Sequence, residues 1–211
     1  MSSSDLVRWG GLAAMMAGVL HVVGGLLPTP AGDQPFSPGS YLLALVEVLA
    51  SLLLLGGLVG LHIRQANVYG WLGTAGFLLV FISTLVGAAL VLFMMVAADT
   101  TGDTAAALRA PLGVTGLVGL VGLLLLGVAT VRARALPLPW AALPLAIGLV
   151  EVLAWLVLPP LTSPLELDWR IDAFILTDMP PVLVGLGWVL LGYALWSGTS
   201  EGVGRRPAPV R

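Results

Sequence analysis

Three ionisable side chains stand deep inside apolar runs of this sequence: His21, Glu47 and Glu151. A charge or strong dipole at bilayer depth is costly, and such residues usually face a helix-bundle interior or a water-filled cavity, so their presence marks a functional candidate. Two carboxyls and one imidazole held together away from water would titrate as a coupled set. Such a group can carry or relay a proton, bind a cationic or polyol ligand, or act as a general acid and base pair. One His and two Glu are also acceptable metal ligands, but the adjacent-turn spacing of the usual sites is missing. No cofactor is expected: bis-histidine haem ligation fails because His21 and His62 fall near opposite ends of their spans.

Helical spacing extends the set. Glu47 shares a face with Ala44 and Ser51, and Glu151 shares one with Gly148, Ala154 and Trp155. Both carboxyls therefore fall on small-residue faces suited to burial rather than lipid contact. The candidate ligand- or proton-binding residues are His21, Glu47, Glu151, Ser51 and Trp155. The competing reading is that each polar group is separately satisfied by a carbonyl, hydroxyl or water and only fixes helix packing.

The elements that must position these residues are membrane spans. The 211 residues are 58% apolar and 9% charged, against about a quarter charged in soluble domains. Runs long enough to cross roughly 30 Å of hydrocarbon fall near residues 6 to 27, 41 to 63, 71 to 97, 111 to 131, 138 to 158 and 180 to 197. The expected fold is an all-α, polytopic transmembrane bundle of about six spans. It forms one domain over residues 1–197, with a disordered cytoplasmic tail over 198–211 that could touch anionic lipid. The first run exceeds the 7 to 15 apolar residues usual for a signal peptide, which favours a membrane anchor.

Arginine placement gives the direction. Arg8, Arg64, Arg132, Arg134, Arg205, Arg206 and Arg211 lie on the side of the N-terminus, against Arg109 and Arg170 opposite. By the positive-inside rule this places both termini in the cytoplasm of a multi-pass cell-membrane protein. Trp9, Trp71, Trp140 and Trp196 at the same span ends fit an aromatic belt. His62, beside Arg64, reads as an interfacial ring near water.

Small residues are the main packing signal where lipid removes the hydrophobic drive for helix association. Gly10, Ala14 and Gly18 make one ridge, and Gly113, Gly116, Gly119 and Gly122 make another that suggests a central fourth span. The segment Leu45 to Ala50 recurs identically as Leu149 to Ala154. Two three-helix halves would explain this, and an odd number of spans per half would make them inverted repeats. Inversion should, however, place the two glutamates at opposite depths, and both lie nearer the external face. The loop from Leu161 to Pro181 alternates acids with apolar residues and is expected to lie along the surface as a short amphipathic helix or a solvated loop. Pro159, Pro160, Pro180 and Pro181 are expected to stop the flanking helices.

Composition excludes several classes. Cysteine is absent, which removes thiolate catalysis, disulfides and Cys-ligated metals. A net charge of −2 gives no basic field to hold nucleic acid. Three readings remain. The first is a binder or carrier, proton-coupled or not, of a small or lipidic molecule through the polar layer. The second is an accessory or structural subunit whose partners are lipid, copies of itself or another membrane protein. An intramembrane enzyme ranks last, because no nucleophile with an adjacent base and no phosphate-cradling loop is present.

Overall fold

In the computed structural model the described residues are 2–27, 38–97, 102–134, 136–158 and 179–198. They form six helices long and apolar enough to cross a membrane: α1 Ser3–Leu26, α2 Pro38–Gln65, α3 Gly70–Ala97, α4 Gly102–Ala133, α5 Leu143–Val152 and α6 Met179–Ser197. A 3₁₀ turn, Trp140–Ala142, leads into α5, and a π-helical turn, Leu153–Val157, continues it. The protein is a six-span helical bundle. The loop 159–178 and the tail 199–211 lie outside the described residues, as do Pro159 and Pro160.

Local chemistry sets the helix ends. At the start of α1, the Ser2 hydroxyl accepts the Asp5 N–H at 3.2 Å while the Asp5 carboxylate accepts the Ser2 N–H at 3.0 Å. This capping box satisfies donors that a helix start otherwise leaves bare. The turn from α2 to α3 is short because Gly70 takes φ +65°, a conformation that a side chain would strain. Pro180 and Pro181 do not stop a helix; they begin α6, where the first turn has no use for the missing N–H.

The helices pack in a ring in chain order. Each lies against its sequence neighbours, and α6 closes the ring on α1. The tightest seams are α1 with α2, α1 with α6, and α3 with α4. Glycines make these seams. A Cβ on Gly10 would lie 2.6 Å from the Gly60 Cα, and one on Gly18 would lie 2.4 Å from the Gly185 carbonyl oxygen. Between α3 and α4, a Cβ on Gly76 would lie 2.5 Å from the Leu126 nitrogen. The first helix is thus built into the bundle on two sides.

The fourth helix is not central. It is flanked by α3 and α5, and only part of its glycine ridge is used. Gly119 and Gly122 press against Ser83 and Leu79, whereas nothing lies within 4 Å of where a Cβ on Gly113 or Gly116 would be. Nor do the helices group by halves, since α6 packs on α1 and α4 on α3. Helices α2 and α5, which carry the repeated segment, stand across the ring from each other.

Packing differs between the two ends of the ring. One end, here the terminal face, holds the start of α1, the α2–α3 turn, the end of α4 and the end of α6. The other is the distal face. The largest fully buried side chains, among them Leu58, Leu61, Leu126, Thr130, Leu191 and Leu195, all lie in the terminal half. Across the ring at that end the Thr130 hydroxyl donates to Gln65 Oε1 at 2.9 Å, both residues being completely buried. In the distal half of α4, by contrast, Val114, Leu117, Val118 and Val121 are exposed. The ring is closed at the terminal face and loosens toward the distal one.

Candidate functional site

Whether His21, Glu47 and Glu151 face lipid or the ring is decided by the wheel of each helix. At 3.6 residues per turn, Glu47 falls in the middle of the arc that carries buried Ala50, Ser51, Leu54, Leu58 and Leu61, while Leu45, Leu49 and Leu52 on the opposite side are exposed. His21 falls on the arc of buried Gly10, Ala14, Ala17, Gly18 and Gly25. Glu151 falls on the arc of buried Pro144, Ile147, Gly148 and Ala154. All three point to the inside of the ring.

They also share a depth. Glu47 lies near the distal start of α2, Glu151 near the distal end of α5, and His21 in the distal third of α1. His21 Nδ1 lies 3.6 Å from Glu47 Oε2, a charge contact slightly too long for a hydrogen bond. Glu151 is close enough to interact electrostatically with both His21 and Glu47, and the Trp155 indole is placed to hydrogen-bond its carboxylate. Ser51 is buried one turn deeper than Glu47 on the same helix.

Glu47 departs from the expectation of simple burial. Protein surrounds its carboxyl on most sides, yet 53% of the side-chain surface is uncovered, against 14% for His21. A group on an inward arc that is both crowded and open lines a recess. The recess opens toward the distal face, where Trp155 is 72% exposed. Trp155 sits in the π-helical turn Leu153–Val157, a wider winding that interrupts the regular ladder and often occurs at functional sites. Among the described residues, no group of three His, Cys, Asp or Glu side chains stands close enough to hold a metal ion.

The terminal end carries polar contacts that the sequence did not signal. His62 is not an open interfacial ring: it hydrogen-bonds the Tyr69 hydroxyl through Nδ1 and stacks on Phe77 with ring centroids 4.2 Å apart. Tyr69 itself is buried in the turn. Gln65 Nε2 is buried with no partner in the protein. Neutral polar residues near span ends ordinarily read as interfacial, which hides an internal cluster of this kind. Gln65 was the one recoverable clue, since an amide preceding a short turn has to be satisfied somewhere.

The chain matches no protein-family model, no curated protein and no solved structure. Function must therefore be argued from the site.

Proposed function

We propose that the protein binds or carries a small or lipidic molecule through the layer formed by His21, Glu47 and Glu151. The observation that carries this reading is the convergence of all three ionisable groups on the inner arcs of three helices, at the end of the ring where packing opens. A purely structural role predicts polar groups that are closed off and satisfied, as Thr130 is. Glu47 is instead more than half open.

The closed terminal half beneath the recess fits a binding protein loaded from one side, or a carrier resting with one gate shut. Arg8, Arg64, Arg132 and Arg134 lie toward the terminal face, so that face is cytoplasmic and the recess faces outward from the cell membrane. A reporter fused after Arg211 should then behave as cytoplasmic; labelling of that tail from outside would reverse the orientation.

The test of the site is native mass spectrometry of gently purified wild-type protein beside Glu47→Gln. A discrete bound mass present in the wild type and absent from the variant supports the reading. Identical ligand-free spectra, with variants altered only in melting temperature, would overturn it. One observation favours a second reading, that of an accessory subunit: the uncovered backbone at Gly113 and Gly116, beside exposed Leu117, suits close approach by another helix. A protein partner lost on Gly116→Leu, with both Glu variants still assembled, would move the assignment there.

A further inference from the structure

If the layer is a binding site, its charge and surroundings restrict what it can bind. We propose that the occupant is a monovalent organic cation, an ammonium flanked by apolar groups, held by Glu151 and the ring of Trp155. This rests on the reading that the layer binds a ligand and adds the ligand's class.

The argument begins with a count. The layer has two carboxyls and one imidazole, so even with the imidazole charged an ionised pair of glutamates keeps one negative charge in surplus. Geometry assigns that surplus. Glu47 has His21 at 3.6 Å, whereas the nearest polar contact of Glu151 is the neutral indole of Trp155. No other element supplies a countercharge. On α3 and α6 the described residues carry no charged side chain, and none is carried on α4 between Ala110 and Val131; the remaining titratable groups are phenols, Tyr193 near the terminal end of α6 and Tyr41 at the distal start of α2. A carboxylate inside a span without a cation takes up a proton or a positively charged ligand.

The same features select among cations. The absence of three clustered ligand side chains among the described residues disfavours a divalent metal. A zwitterion would need a free cationic partner for its anionic end, and His21 is mostly covered and already faces Glu47. Trp155 is largely exposed and sits one turn from Glu151, so its ring offers a face to a cation with poorly hydrated, apolar flanks, for which cation–π attraction is strongest when water is excluded. The ligand would displace a proton from Glu151, one charge exchanged for one.

The probe is benzyltrimethylammonium, compared with its neutral carbon isostere 2,2-dimethylpropylbenzene, by isothermal titration calorimetry on protein in lipid nanodiscs. Saturable binding of the cation alone is expected, weakened by acidification and accompanied by release of about one proton. Glu151→Gln should weaken binding about ten-fold or more and abolish the pH dependence. Trp155→Leu should weaken it several-fold and leave the pH dependence in place. Glu151→Asp, which keeps the charge, should restore binding in part and shows that loss in the Gln variant is not misfolding. Equal or tighter binding of the neutral isostere, unchanged affinity in Glu151→Gln, or no binding of the cation at millimolar concentration would overturn the proposal. If a neutral or anionic mass still co-purifies and is lost in Glu47→Gln, the site stands and only the ligand class falls. If no mass co-purifies and no probe binds, both fall.

Discussion

Gln65 uses only part of its amide: its carbonyl takes a proton from Thr130, and its Nε2 is buried without a partner. Removing the hydroxyl alone, in Thr130→Val, strands the carbonyl as well and should cost about 1 kcal/mol. The double variant Gln65→Leu, Thr130→Val removes every orphaned group and should lie within about 1 kcal/mol of wild type. Reversible unfolding in detergent checks both, and an additive double variant would show that the two residues do not interact. Tyr69 supplies a pH dependence. Burial pushes its hydroxyl up to about 12, from about 10 in an unfolded chain. The unfolded chain therefore gives up this proton first, so the contribution to stability is complete below about pH 10 and is lost as pH rises through about 12. Melting temperatures at about pH 9 and pH 11 should differ less in Tyr69→Phe than in wild type.

At the scale of helices, identical spacing carries opposite consequences along α4. A side chain added at Gly122 would meet the backbone nitrogen of Val80 at 2.7 Å, while one at Gly116 meets nothing. Gly122→Ala should therefore destabilise by about 1–3 kcal/mol, and Gly116→Ala should be neutral or stabilising by up to about 1 kcal/mol through helix propensity. Equal effects in a thermal-melt assay would refute this packing of α3 on α4. The contrast also explains what was legible in the sequence. Hydropathy located all six spans, because an apolar run has no other stable place. It missed the start of α4, which begins at Gly102, since Asp103 and Arg109 break the apolar run while the alanines between them favour helix. It found the ridges but not which part of each is covered, because lipid and a neighbouring helix accept the same small residues. His21, Glu47 and Glu151 were conspicuous for the opposite reason: a charge in an apolar run stands out, and its depth follows by counting.

At the scale of the whole molecule, ring order and the difference between its ends depend on which helix meets which, and no short-range pattern encodes that. The absence of cysteine makes this asymmetry testable, since any introduced thiol is unique. Ala44→Cys, on the inward arc near Glu47, should react with a membrane-impermeant maleimide added on the distal side. Leu61→Cys, in the fully buried terminal half, should resist the reagent from both sides; rapid labelling of Leu61→Cys would show that the terminal half is not closed. The spans also differ in length. The α3 helix has 28 residues and the fifth span 18, about 42 Å against 27 Å at 1.5 Å per residue. A bilayer about 30 Å thick in its hydrocarbon matches the shorter and not the longer. The membrane must therefore dimple on the side of Glu151 and Trp155, or α3 must tilt. Either response brings headgroups and water closer to the carboxylate, so the thickness of the surrounding lipid becomes a physical control on how readily the recess is reached.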